Sequence, residues 1–171
     1  MIEYRDATPA DAEPLDAMAQ AIWIETFSHG SAEEDWRAYV AEAYGPRGKL
    51  IAALRDGSAR FHLAVADGRI IGYVKINAPW LPDAEAGAMQ LSQLYVASDW
   101  HGRGVAQALM DWAVGEARAA HAPALLLTVW ERNDRARRFY EKLGFVHVGD
   151  YAFPVGKQID TDNIMRLALA E

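Results

Sequence analysis

The chain has 171 residues, 51% of them hydrophobic, no cysteine and a formal net charge of −7. It is long enough to bury a core without staples, and disulfides, thiolate zinc sites and a cysteine nucleophile are all excluded. The acidity disfavours nucleic acid as a main partner, because phosphate binding needs a basic surface, and it is compatible with a small cationic substrate.

Ile2-Glu3-Tyr4-Arg5 reads as a short first strand. Thr8-Pro9-Ala10-Asp11 is a helix start, with an N-cap threonine, proline at the first helical position and an acid at the third. Leu15, Met18, Ala19, Ile22 and Trp23 then recur at helical spacing, and Gly30 can end that helix. Ser31-x-x-Glu34 predicts a second capping box, leading a helix with Trp36, Tyr39, Val40, Ala43 and Tyr44 on one face. Gly45-Pro46 stops it, and a third short helix covers about 47–54. Residues 61–66 and 69–76 flank Asp67-Gly68, a strong signal for a hairpin with a type I′ turn. A loop over 78–87 carries Pro79 and Pro82. The strand Leu94-Tyr95-Val96 leads through Ser98-Asp99 and a glycine pair into a helix lasting to about Ala120. The apolar run 125–130 is typical of a buried parallel strand. Asn133 or Asp134 caps a last helix closed by Gly144, and 145–148, 151–155 and 164–169 supply late strands. No apolar run spans a membrane and the N-terminus is too charged for a signal peptide, so a single cytoplasmic α/β domain over 1–171 is expected.

Strand, glycine-rich turn and helix start together make a recipe for holding phosphate. The first N–H groups of a helix have no intrahelical partner, and the helix dipole places partial positive charge there. Glycines let the backbone approach an anion, and Arg103 adds a planar donor fork. Gly102, Gly104 and the helix opening at Val105 and Ala106 are therefore read as a pyrophosphate cradle. It is not a Walker loop, because GxxxxGK[ST] is absent, and Gln107 stands where GxGxxG needs its third glycine. His101-Gly102-Arg103-Gly104-Val105-Ala106 instead resembles motif A of the GNAT acetyltransferases, Q/R-x-x-G-x-G/A, with His101 in place of Gln or Arg.

Asn133-Asp134-Arg135-Ala136-Arg137-Arg138-Phe139-Tyr140-Glu141-Lys142-Leu143-Gly144-Phe145 reads first as a capped amphipathic helix with Phe145 folding back after Gly144. That account leaves Asn133 and Tyr140 free for another task. The segment resembles GNAT motif B, N-x-x-A-x-x-F-Y-x-x-x-G-F, about thirty residues after motif A. The resemblance runs over the whole chain, including Gly72-Tyr73 in the hairpin. It implies a GNAT fold, a central mixed, mostly antiparallel sheet splayed between strands 4 and 5 and flanked by helices. It also implies acetyl-CoA as cosubstrate, no metal, and direct transfer to an amine. By the same likeness Leu94, Tyr95 and Val96 offer backbone groups to the pantetheine arm and Asn133 bonds to it. His101, Arg103 and Lys142 join the cofactor contacts, and Tyr140 protonates the leaving thiolate. Thr26-Phe27, Ala41-Glu42-Ala43-Tyr44, Val129-Trp130 and Phe153-Pro154-Val155-Gly156 resemble the PaiA-type branch, linked to spermidine and spermine acetylation.

The general base stays open between Glu131, Glu25 and a water chain; many relatives carry Glu where Gln90 stands. Glu131 follows the buried 125–130 run, at the strand end where ligands of α/β folds gather. Trp23, Thr26 and Phe27 are the acceptor-pocket candidates, with core packing as the alternative for Trp23 and Phe27. Glu33-Glu34-Asp35 either steers a polyamine or is ordinary first-turn dipole chemistry. His62, His121 and His147 have no metal-ligand spacing. The partner expected is a small-molecule or peptide amine, without nucleic acid or membrane, and a homodimer is left open. Two rival readings stand beside a primary-amine acetyltransferase: a protein N-terminal acetyltransferase, and a non-catalytic acyl-CoA-binding domain.

Overall fold

The computed structural model describes residues 1–169. Seven strands form one sheet in the order β1-β2-β3-β4-β5-β7-β6, namely β1 Ile2–Asp6, β2 Ala59–Ala66, β3 Arg69–Asn77, β4 Met89–Val96, β5 Ala124–Trp130, β6 Val146–Val155 and β7 Gln158–Ala168. Every neighbouring pair is antiparallel except β4 and β5. Those two share only the partners Met89↔Leu125 and Gln90↔Leu126. β4 continues to Val96 along β3, while β5 continues to Trp130 along β7, so the sheet opens between them.

Alternation along the strands feeds two cores. Ile71, Val74, Leu125, Leu127 and Met165 meet Val105, Leu109 and Met110 of α4 (Val105–Ala119), with Tyr140 of α5 (Asp134–Lys142) and Phe145 beside them. Phe61, Leu63 and Tyr73 meet α1 (Ala12–Phe27), α2 (Glu33–Ala43) and α3 (Lys49–Asp56) on the opposite face. Burying a side chain such as Leu109, fully inaccessible here, stabilises by about 1.5–3 kcal/mol. Asp67 and Gly68 both take positive φ, 50° and 74°, as a type I′ hairpin turn requires. No helix of the described residues is long and apolar enough to cross a membrane.

Two details differ from the sequence reading. The first helix start is a 3₁₀ turn over Pro9–Asp11, and Asp11 does more than cap it. Its carboxylate accepts the Thr8 N–H at 2.7 Å and both Arg5 guanidinium nitrogens at 2.9 and 2.8 Å, tying β1 to α1. The second capping box is absent: Ala32 occupies the N-cap, and the Ser31 hydroxyl is buried without a partner. Tertiary docking sets that end instead. Asp35 Oδ1 accepts the Lys157 N–H at 2.7 Å, and Gly156 lies so close that a Cβ would stand 2.5 Å from the Asp35 Cα. This contact holds α2 over the β6–β7 hairpin.

Candidate active site

The splay opens into a cleft of about 950 Å³. Past Gln90, the edge of β4 that faces β5 has no strand partner, so the backbone from Leu91 to Val96 borders the cleft with unpaired polar groups on that side. Leu94, Tyr95 and Val96 lie along this border. α4 reaches the same place because Gly72 lets it. A Cβ there would lie 3.1 Å from the Tyr95 carbonyl oxygen and 3.2 Å from Val105 Cγ1.

The turn before α4 has the geometry of an anion cradle. Gly102 and Gly104 take φ of 73° and 80°, and nothing lies within 4 Å of where their Cβ atoms would stand. Gly104 is the N-cap, no side chain caps the helix, and its first turn carries no acid. The N–H groups that open the helix, at Val105 and Ala106, are left for a ligand. His101 Nε2 lies 2.8 Å from the Val96 carbonyl oxygen, and Nδ1 is turned to the Arg135 guanidinium. The ring ties the turn to β4 and to α5 while lining the cleft. Arg135, which the sequence did not single out, also lines it. Arg103 is exposed outside the lining, its guanidinium 5.0 Å above the Trp100 ring. Lys142 is exposed in the last turn of α5, also outside.

α5 brings Asn133 and Tyr140 to the cleft wall. Asn133 Oδ1 accepts the Ala136 N–H at 3.3 Å, which leaves its amide donors free. Tyr140 is 7% exposed, set between Phe139 and Phe145 with ring centroids 5.6 and 5.7 Å away. Burial pushes its phenol well above the ordinary value, so it stays protonated and able to donate. Deeper along β3 and β4, the Tyr73 hydroxyl donates to Gln93 Oε1 at 2.9 Å, and Gln93 Nε2 donates to the Tyr44 hydroxyl at 3.4 Å. Burial raises the Tyr44, Tyr73 and Tyr95 phenols alike and lowers the Lys75 ammonium in the same wall.

Across the cleft, α1 contributes Trp23, Thr26 and Phe27. Trp23 serves core and cleft together. It stacks on Tyr39 at 4.6 Å and meets Phe27 at 5.5 Å, while Phe27 meets Trp130 edge-on at 5.8 Å. The floor comes from alternate residues of three strands. Asp162 on β7 is the Cα partner of Trp130 on β5 and Tyr151 on β6, and Asp160 is the partner of Phe153. Asp162 is 8% exposed. Burial, with help from the nearby Asp160 and Glu131 charges, raises its carboxyl from 3.8 to about 6 against the opposing Thr128 hydrogen bond.

Glu131, one of the candidate bases, lies outside the cleft lining. β5 ends at Trp130, whose ring takes the cleft-facing position, and Glu131 is exposed in the following turn with its N–H held by the Thr161 carbonyl at 3.0 Å. Glu25 lines the cleft from an exposed position on α1. Glu33 pairs with Arg37 at 2.7 Å and Asp35 accepts the Lys157 N–H, so these two are engaged outside the cleft, and Glu34 is not in its lining either. The spacing Asp160-x-Asp162 in a strand was the signal for a shared carboxylate face, and it is legible once β7 is known to be a strand.

A model of the acetyltransferase (GNAT) family matches residues 15–145. The chain belongs to the GNAT acetyltransferase family. It is an acetyl-CoA-dependent N-acetyltransferase. An uncharacterized N-acetyltransferase of Mycobacterium tuberculosis is 32% identical over 155 residues, covering 91% of this chain and 96% of the relative. The fold matches PaiA N-acetyltransferase from Thermoplasma acidophilum in complex with coenzyme A, with a TM-score of 0.79, 23% identity and 99% of each chain covered. It also matches yncA, a putative acetyltransferase from Salmonella typhimurium with acetyl-CoA, with a TM-score of 0.72, 18% identity and coverage of 100% and 95%. The residues present fit this GNAT cosubstrate. The open glycine turn and uncapped α4 N-terminus suit a pyrophosphate, and the unpaired β4 edge with the free Asn133 amide suits an amide-bearing arm.

Proposed function

We propose that this enzyme acetylates the primary amine of a small cationic acceptor, a polyamine, in the cytoplasm. The observation that carries the reading is the acceptor side of the cleft, where Asp160 and Asp162 share one face of β7 beside Phe153 and Trp130, with Trp23 and Tyr39 in the same lining. Carboxylates attract an ammonium group, and aromatic faces favour a desolvated cation. The likeness of Thr26-Phe27 and Phe153-Pro154-Val155-Gly156 to the PaiA-type branch points the same way.

Bound acetyl-CoA supplies the activated acetyl group. Leu94, Tyr95 and Val96 offer backbone groups to its arm, Asn133 offers its amide, and the N–H groups at Val105 and Ala106 take its pyrophosphate. Arg135 and the turn through Gly102 and Gly104 frame that end. Tyr140, kept protonated by burial, gives its proton to the sulfur as it leaves. Thiol release from acetyl-CoA, measured with spermidine, spermine, amino acids, aminoglycosides and N-terminal peptides, tests the acceptor. Turnover confined to the polyamines supports the reading, and preference for a peptide N-terminus refutes it. Tyr140→Phe should lower kcat about 100-fold or more with acetyl-CoA affinity unchanged. Equal loss of both would remove Tyr140 from proton transfer.

A further inference from the structure

Asp162 is a buried carboxylate in the cleft wall with no cationic partner among the described residues. It lies on β7 with 8% exposure, and its charged neighbours, Asp160 and Glu131, are both acids. Among the described residues no lysine, arginine or histidine forms an ion pair with it, and the Thr128 hydroxyl is the group that favours its charged form. An ionised carboxylate held out of water among like charges is unfavourable until a cation or a proton joins it. Its place in the sheet decides which arrives. Register sets Asp162 between Trp130 and Tyr151, on the face covered by Tyr39, so the approach to it is through the aromatic acceptor lobe. Asp160, two residues earlier, lies past the end of β5 and has only β6 beside it, which puts it nearer the mouth.

We propose that Asp162 binds the ammonium group of the acceptor and takes one of its protons, making it the general base of the transfer. This rests on the amine acceptor proposed above. The ammonium gives one proton to the Asp162 carboxylate, and the freed nitrogen lone pair forms the C–N bond to the acetyl carbon as the C–S bond breaks. The electron pair of that bond goes to sulfur, which takes the Tyr140 proton. The nitrogen's second proton restores Tyr140, and Asp162 passes its own to solvent. The sum is one amide, one thiol and one proton released.

The titratable and charged groups facing Asp162 are Asp160 on its own strand, Glu131 past β5, Tyr151 on β6, and Tyr39 on α2 with Glu42 behind it. Arg132 lies over the Trp130 ring at 4.8 Å, and Glu25 reaches the cleft from α1. Of the acids among the described residues, Asp162 alone is both buried and in the lining.

The test compares Asp162→Asn with wild type, using any amine that wild type turns over, from pH 5 to 10. The variant should lose about 100-fold or more in kcat/KM at pH 7, as expected for removing a positioned base, with acetyl-CoA affinity by calorimetry unchanged. The acidic limb of the wild-type profile near pH 6 should vanish. The deficit should shrink as the pH approaches about 10, where the amine loses its proton unaided. A purely structural role predicts a pH-independent loss. If wild type is active and Asp162→Asn keeps both its rate and the acidic limb, the role of Asp162 is overturned and the acceptor reading survives. If wild type binds acetyl-CoA but acetylates no amine, the acceptor reading fails and this proposal falls with it.

Discussion

Asp162→Asn should make the protein more stable at neutral pH while disabling it. The folded carboxyl titrates at about 6 against 3.8 for a free side chain, so the native state holds the proton more tightly than the unfolded chain does. Below pH 3.8 both states are protonated and the group costs nothing. Between 3.8 and about 6 the unfolded chain ionises first, and stability falls as pH rises. Above that window the cost is complete. With about 1.4 kcal/mol for each tenfold displacement, it amounts to about 3 kcal/mol as an upper bound. Asparagine has the same shape and keeps an oxygen for the Thr128 hydroxyl, so the variant removes the charge and little else. Urea unfolding of both proteins at pH 8 and pH 4 measures the difference. It should favour the variant by at most about 3 kcal/mol at pH 8 and fall toward zero at pH 4, with a melting temperature higher by at most about 6–12 °C at pH 8. A gain that does not vary with pH, or a loss at pH 8, would show that Asp162 is compensated in the native state.

Asp11→Asn carries the opposite sign. Arg5 and the Thr8 N–H hold the Asp11 carboxyl far below the usual range, so its contribution is present above pH 4 and is lost as pH falls; the variant should be less stable at pH 7 and should lack wild type's acid-induced loss from this group, as urea titrations at pH 7 and 3 can show. Gly104→Val puts a β-branched residue at φ 80° in the N-cap of α4, which costs roughly 1–3 kcal/mol and closes the turn; calorimetry should find acetyl-CoA binding abolished, and unaltered binding would refute the cradle. Gly156→Ala meets positive φ and the Asp35 Cα at once, so the α2 contact must give way; a melting temperature within a degree of wild type would mean the hairpin turn adjusts freely.

The parts of the site that were legible are those whose cause is local. Gly102 and Gly104 stand out because a left-handed backbone before a helix needs them, and Asn133 because a cap sits at a fixed distance from its helix. Asp67-Gly68 forced the hairpin for the same reason. Asp162 was illegible because its role comes from β7 pairing with both β5 and β6, which lines up residues thirty-two and eleven positions apart in the chain as Trp130, Asp162 and Tyr151. Glu131 lies outside the lining because a strand end specifies a place and not a direction. Leu125, Leu127 and Val129 belong to the α4 core, so Thr128 and Trp130 face the cleft, and the residue after Trp130 leaves it. Ser31 failed as a cap because Asp35 and the turn at Gly156 fix the start of α2 from a distance.

Gln90 connects these points. It is fully buried, and its Oε1 accepts the Trp80 N–H at 3.1 Å while Nε2 has no partner. The loop between β3 and β4 thus closes over it, and it is absent from the cleft wall. It is also the last β4 residue paired with β5, opposite Leu126. Leu126, Thr128 and Trp130 share one face of β5, which places Gln90 on one flank of that row and Asp162 on the other. The two lie at different levels, Gln90 beside Leu126 and Asp162 beside Trp130, and of the two only Asp162 opens to the cleft. A carboxylate at the Gln90 position would be shut away from the acceptor by the same loop, so the proton transfer proposed above has its acid on β7.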